Sequence, residues 1–143
     1  MKYKNPGCTA DIIIERKGSI LLVKRKHEPF KDMWALPGGY LEYGEETIEQ
    51  TCIRETKEET DIDIQELKLF GVYSNPDRDP RGHVISHVYI ATKYSGHKKA
   101  GDDAIEARYF PLYDNHPMLN FPQLAFDHNQ IINDYRRKIR PRR

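Results

Sequence analysis

The hexapeptide Arg54-Glu55-Thr56-Lys57-Glu58-Glu59 constrains this chain more than any other feature. Glu55 and Glu59 stand four residues apart, so in a helix they share one face, about 6 Å from each other along the axis. Glu58, three residues from Glu55, flanks that face. Thr47 predicts an N-cap, and Gln50 three residues later completes the capping-box pattern, so the helix begins at Thr47 and ends near Asp61. Ile48, Cys52, Ile53 and Thr56 give it a less polar side at spacings of three and four. Like charges at this spacing repel by roughly 0.2–0.5 kcal/mol per pair even when exposed. Hard oxygen ligands so arranged suit Mg²⁺ or Mn²⁺, which would relieve the repulsion. Arg54 stands beside them and can orient one carboxylate through a bidentate contact. Taken alone, the same pattern also describes a solvated acidic face partly balanced by Lys57.

The preceding loop tilts the balance. Leu36-Pro37-Gly38-Gly39 frees the backbone just ahead of the helix, and glycine there permits unusual dihedrals and close approach of a ligand. A carbonyl from Gly38 or Gly39 can complete a metal site whose other ligands come from the helix. Gly-Gly, a capped helix and Arg-Glu-x-x-Glu-Glu together form a specific signal.

The rest of the chain is compatible with one soluble domain. Its 143 residues are enough to bury a core. No apolar run approaches the ~20 residues needed to span a bilayer, and Met1 to Pro6 lacks the apolar segment of a secretory signal. A net charge of +1 argues against nucleic acid as the main partner. Arg136 to Arg143 is a basic run, read as a solvated helix end. Cys8 and Cys52 form neither a disulfide framework nor a zinc pattern, so a reducing, cytoplasmic setting is the default.

Hydrophobic patterning predicts strands over Thr9–Glu15 and Ser19–Lys24, joined by a turn at Lys17-Gly18. His27 to Gly39, punctuated by prolines and glycines, reads as a loop. Beyond the carboxylate helix, strands are expected over Leu67–Tyr73, His83–Tyr94 and Ile105–Phe110. Polar loops separate them over Asn75–Gly82 and Gly96–Asp103. Pro111–Pro122 reads as irregular. Gln123–Lys138 reads as an amphipathic helix, with Leu124, Ile131, Ile132, Tyr135 and Ile139 on one side. The order suggests an α/β sandwich with a mixed sheet.

The stretch from Gly39 through Ile62, GYLEYGEETIEQTCIRETKEETDI, resembles the box of the Nudix hydrolases, G-x5-E-x7-R-E-U-x-E-E-x-G-U, where U is bulky and aliphatic. Arg54, Glu55, Glu58, Glu59 and Ile62 match. The resemblance implies an α/β/α sandwich with a mixed β-sheet and a metal-binding helix. It also implies metal ligation by Glu55, Glu59 and the Gly38 carbonyl, with Glu58 adjacent. Three departures stand out. One extra residue separates Gly39 from Arg54, so counting back selects Glu46 as the box glutamate and counting forward selects Glu45; loop flexibility favours Glu46. Thr56 occupies an aliphatic position, and Asp61 replaces the glycine that would close the helix in the left-handed region. Outside the box, the segments Asn75 to His83 and Leu124 to His128 resemble the ADP-ribose pyrophosphatase branch.

The resemblance implies hydrolysis of a P–O–P linkage by activated water, with ADP-ribose giving AMP and ribose 5-phosphate. A general base outside the box is expected among Asp102, Asp103 and Glu106, with Glu106 first. Arg25 and Arg81 are candidates to hold phosphates through bidentate contacts. Phe30, Tyr73 and Tyr109 are candidates to stack on a base, although aromatics in such places also build cores. His83 and His87 share a zinc-like spacing, but in a strand and without a glutamate partner motif, which argues against zinc. Cys52 reads as packing rather than as a nucleophile. Two other readings stay open: a nucleoside triphosphate pool sanitiser, and a non-catalytic ADP-ribose sensor of the kind joined to transcription regulators. The sensor reading predicts a damaged metal site and an extra DNA-binding domain. Glu55, Glu58 and Glu59 are all present, and the tail after the last helix is too short for such a domain. A homodimer is compatible with the resemblance.

Overall fold

The computed structural model describes residues 3–99, 104–113 and 121–139. The first sheet joins β1 (Gly7–Ile13), β5 (Gly38–Tyr40), β6 (Asp63–Tyr73) and β7 (Val84–Ser95) in the order β5-β1-β7-β6. It is mixed: β1 runs parallel to β7 and antiparallel to β5, while β6 and β7 are antiparallel. The second sheet is antiparallel and is built on β3 (Ser19–Arg25), which pairs with β2 (Glu15–Arg16), β4 (Trp34–Ala35) and β8 (Ala104–Pro111).

Alternation along β1 and β3 shows how the layers stack. Ile12, Leu21 and Val23 face one apolar core together with Cys52 of helix α1 (Ile48–Thr60). Ile13, Ile20 and Leu22 face a second core with Ile131, Ile132 and Tyr135 of helix α2 (His128–Ile139). Strands covered on both faces need near-continuous apolar runs, which β1 and β3 have. The expected α/β/α sandwich is therefore present, with one helix over each core.

α1 follows its sequence signals closely. Thr47 is the N-cap: its hydroxyl accepts from the Gln50 N–H at 3.2 Å, and the Gln50 side chain accepts from the Thr47 N–H at 2.8 Å. Asp61 ends the helix at φ 63°, its N–H donating to Lys57 O at 3.0 Å and its carboxylate 3.0 Å from Lys57 Nζ. A left-handed aspartate is thus tied down by backbone and side chain together. Thr56, fully buried, donates its hydroxyl to Cys52 O at 2.7 Å, so the polar atom at the aliphatic position is satisfied within the helix. Ile53, by contrast, is 39% exposed; the buried side consists of Thr51, Cys52, Thr56, Glu59 and Thr60.

Several boundaries differ from the sequence reading. The expected loop from His27 to Gly39 contains β4 and the start of β5, short strands that the prolines and glycines conceal. β6 begins at Asp63, ahead of Leu67. α2 begins at His128 rather than Gln123, because residues 123–125 are captured by β4. Trp34 N–H donates to Gln123 O, and Ala125 N–H to Trp34 O, at 3.1 and 2.8 Å. Tertiary pairing there overrides helical periodicity. Tyr73 and Tyr109 pack against the two cores and are not free to stack on a base. Among the described residues no helix is long and apolar enough to cross a membrane.

Candidate active site

One face of α1 meets β5. Glycine at 38 and 39 is required by close approach rather than by dihedral freedom, since neither has a positive φ. A Cβ on Gly39 would lie 2.5 and 2.6 Å from the two carboxylate oxygens of Glu55. A Cβ on Gly38 would lie 2.9 Å from Asp11 Cα and closer still to the Ala10 carbonyl. Gly38 N–H points to Glu59 Oε2 at 3.4 Å. Glu55, Glu59 and the glycine pair therefore converge.

Arg54 organises the carboxylates around them. It binds Glu46 through two parallel hydrogen bonds of 3.0 and 2.7 Å, Glu55 at 2.8 Å, Glu58 at 3.2 Å and the Tyr40 carbonyl at 3.1 Å. Of the two glutamates that counting leaves open, Glu46 is the one that reaches Arg54. Glu46 also accepts from Glu42 N–H and the Thr51 hydroxyl, at 3.1 and 2.8 Å. The Arg54 hydrogen bonds, helped by these donors, hold the Glu46 carboxyl down to about 2. Glu46 in turn raises the Arg54 guanidinium further.

Above this arrangement opens a cavity of about 330 Å³. It is lined by the acidic Asp11, Glu55, Glu59 and Asp79 with Gly38 and Gly39, and by the basic Arg25, Arg78 and Arg81 with Tyr40 and Phe126. Asp11 accepts a hydrogen bond from the Ser86 hydroxyl. His128 Nδ1 accepts from Leu36 N–H at 3.0 Å, which leaves the proton on Nε2, 3.9 Å from Asp11 Oδ2. Burial lowers the His128 pKa and favours the neutral ring.

Among the basic residues, Arg25 is half-buried, its Nε donating to Pro29 O at 2.8 Å and its guanidinium 4.9 Å over the Phe126 ring. Burial, then repulsion from Arg81, lowers its pKa. Glu59, Asp79 and Asp11 stand near enough to attract its charge, and its guanidinium lines the cavity. Arg81 is held by Asp79 through bonds of 3.0 and 2.8 Å. Arg78 forks onto Asp127 at 2.9 and 2.6 Å, tying the 75–83 loop to the start of α2.

The structure thus brings together Gly38, Glu55, Glu59, Arg25 and Arg81, with Arg54 behind them. Three expected residues fall elsewhere. Glu58 is half-exposed, turned to Arg54 and outside the cavity lining. Glu106 pairs with Lys24 in the sheet and with Arg108, whose guanidinium lies over Trp34 of the second core; strand pleating puts it on the face away from α1. Phe30 does not line the cavity but packs edge-on against Phe126, with centroids 4.8 Å apart. Asp102 and Asp103 lie outside the described residues. Cys52 is buried, and burial pushes its thiol up to about 12, consistent with packing. Asp11, Tyr40, Arg78, Phe126 and His128 were not anticipated individually. Arg78 and Asp127 do belong to the two segments, 75–83 and 124–128, that stood out by resemblance, and their pairing explains why both segments matter.

The donor set fits a hard divalent cation. Glu55 and Glu59 supply carboxylate oxygens, and the bare Gly39 lets the Glu55 carboxylate lie against the main chain. Among the described residues no three acidic, histidine or cysteine side chains form a closed cluster. A divalent cation held by these two carboxylates would complete its shell with water and substrate oxygens.

A sandwich of this kind, with the carboxylate helix against a glycine pair, defines a class, and comparison identifies it. The NUDIX domain family matches residues 6–135, and the chain belongs to that family. It is 53% identical to the ADP-ribose pyrophosphatase of Methanocaldococcus jannaschii over 135 residues, 94% of this chain and 76% of that protein. The bifunctional NMN adenylyltransferase/ADP ribose pyrophosphatase of Francisella tularensis, solved with AMP and a Mn ion, superposes with a TM-score of 0.79 at 34% identity, covering 96% of this chain and 43% of that one. The NUDIX domain of Shewanella oneidensis NrtR, solved with ADP ribose, gives a TM-score of 0.82 at 27% identity, covering 96% and 90%.

Proposed function

We propose that this protein hydrolyses ADP-ribose to AMP and ribose 5-phosphate with Mg²⁺ or Mn²⁺, in a reducing cytoplasmic setting. The observation that carries the reading is that one cavity is lined both by Glu55 and Glu59 and by Arg25 and Arg81. A diphosphate bound there meets a cation site and guanidinium donors together. Likeness to an ADP-ribose pyrophosphatase at 53% identity supports the choice of substrate.

The cation, when bound, supplies Lewis-acid activation of water and neutralises diphosphate charge. Hydrolysis adds water across the P–O–P bridge: one P–O bond forms at the attacked phosphorus, the bridging bond breaks, and a proton is released. Glu55 and Glu59 would hold the cation. Arg54 keeps Glu55 oriented while sharing its charge with Glu46 and Glu58. Arg25, on the cavity wall, receives phosphate oxygens through its guanidinium fork. The Arg78–Asp127 pair keeps the basic wall in place.

A panel of ADP-ribose, ADP-sugars, dinucleotides and nucleoside triphosphates, incubated with Mg²⁺ or Mn²⁺ and resolved by chromatography, tests the reading. AMP and ribose 5-phosphate should appear fastest from ADP-ribose. Turnover of no member would sink the enzyme reading, and ADP-ribose binding without turnover would favour a sensor.

A further inference from the structure

A buried hydrogen-bond path joins the start of α2 to the glycine pair. β5 is an edge strand of three residues, and its two glycines offer no side chain to pack, so the segment entering it governs where it lies. That segment is Leu36-Pro37. Leu36 is buried, and its N–H donates at 3.0 Å to Nδ1 of His128, itself buried and 92 positions away in sequence. Pro37 has a fixed φ and passes the placement on, while its carbonyl accepts from Ile12 N–H at 2.9 Å. Gly38 follows, with its N–H directed at Glu59 Oε2. On the other side of the imidazole, Nε2 stands 3.9 Å from Asp11 Oδ2, the oxygen that accepts from Ser86. Asp11 is the β1 partner of Gly38, and a Cβ at position 38 would collide with its carboxylate. One ring therefore meets Gly38 by two routes, the backbone ahead of it and the carboxylate beside it.

We propose that His128 is a positioning residue for the cation site: it holds the Leu36-Pro37-Gly38 backbone where Gly38 and Glu59 meet, with Asp11 seated against the same glycine. The assignment rests on the reading of Glu55 and Glu59 as cation ligands, and adds to it a residue from the far end of the chain. Nδ1 is the nitrogen that matters, because it bonds to the backbone directly, whereas Nε2 stands beyond hydrogen-bond reach of Asp11. Loss of a group that orients metal ligands costs about ten- to a hundredfold in metal affinity.

Two substitutions separate the ring nitrogens. Asparagine puts an amide oxygen where Nδ1 accepts from Leu36. Glutamine puts an amide nitrogen where Nε2 carries its proton, and leaves Leu36 N–H without its acceptor. His128→Gln should weaken Mg²⁺ binding to the full protein about ten- to a hundredfold by calorimetry, and His128→Asn should recover most of that loss. Equal loss in both variants, as a general loosening of α2 would give, or no loss in His128→Gln, would overturn the assignment. Glu59→Gln, run alongside, keeps the two readings apart. Loss there with none in His128→Gln refutes the positioning role alone, and loss in neither refutes the cation site beneath it. Because either His128 variant can fail to fold, the second measurement uses the unmodified protein. A coupling across the hydrogen bond, between the Leu36 amide nitrogen and His128 Nδ1, should be visible by NMR. The Leu36 and Gly38 amide signals should then both shift as Mg²⁺ saturates the site. Absence of the coupling, or a Leu36 signal that Mg²⁺ leaves unmoved, refutes the link.

Discussion

Glu55 rests its carboxylate on the bare Cα of Gly39: a side chain on that glycine would stand 2.5 and 2.6 Å from the two carboxylate oxygens. The neighbouring Gly38 meets the β1 backbone, at the Ala10 carbonyl and the Asp11 Cα, as well as the Asp11 carboxylate. Two adjacent glycines therefore have different jobs.

Gly39→Ala should spare the fold and damage the site, because the group it strikes is the movable end of a glutamate. A displacement near 1 Å at a reacting centre costs about a hundredfold in rate. Thermal melting should change little while metal-dependent turnover falls by about that factor. Gly38→Ala should do the reverse first, lowering stability by about 1–3 kcal/mol through overpacking against the β1 backbone. Urea unfolding of both variants separates the cases.

Glu59→Gln removes one charge from a repelling set of carboxylates. Metal-free stability should stay the same or rise slightly, while Mg²⁺ affinity by calorimetry and turnover each drop more than about a hundredfold. Retained metal affinity would show that the wrong carboxylate was assigned.

Acid should loosen the Arg54 cluster in a defined window. Glu46 is held down to about 2 by Arg54, so its folded value lies below its unfolded one. Its contribution is complete above the unfolded value of about 4.3 and is lost as pH falls towards 2. Unfolding free energy measured from pH 6 to pH 2.5 should decline, and Glu46→Gln should flatten part of that decline.

The buried pair Arg78–Asp127 offers a double-mutant cycle. Removing Arg78 alone strands a largely buried carboxylate, since the two side chains are 4% and 17% exposed. Arg78→Ala should cost about 3–5 kcal/mol, and adding Asp127→Ala should recover part of the loss. Additive losses in urea unfolding would show that the pair is not coupled.

Thiol chemistry provides a check on α1. Cys8 is part-exposed and Cys52 buried, its thiol raised to about 12. A thiol-disulfide reagent at pH 8 should titrate one cysteine in the native protein and both in denaturant.

What the chain alone determined is local. The Thr47–Gln50 box, the 3.6-residue period and the Asp61 stop specify α1 from interactions spanning a few residues, and the same period puts Glu55 and Glu59 on one face. Strand cores were legible for the same reason, since runs such as Thr9 to Glu15 carry their own pattern. Tertiary structure decided whatever depends on contact between distant segments. It selected Glu46 over Glu45 by folding the 42–46 loop against Arg54, and the pleat register of β8 against β3 turned Glu106 away from the cavity. The pull of β4 on residues 123–125 delayed α2 and left Phe126 lining the cavity. Such pairings join residues tens of positions apart, and no local spacing encodes them, because they exist only once two sheets and two helices have closed around shared cores.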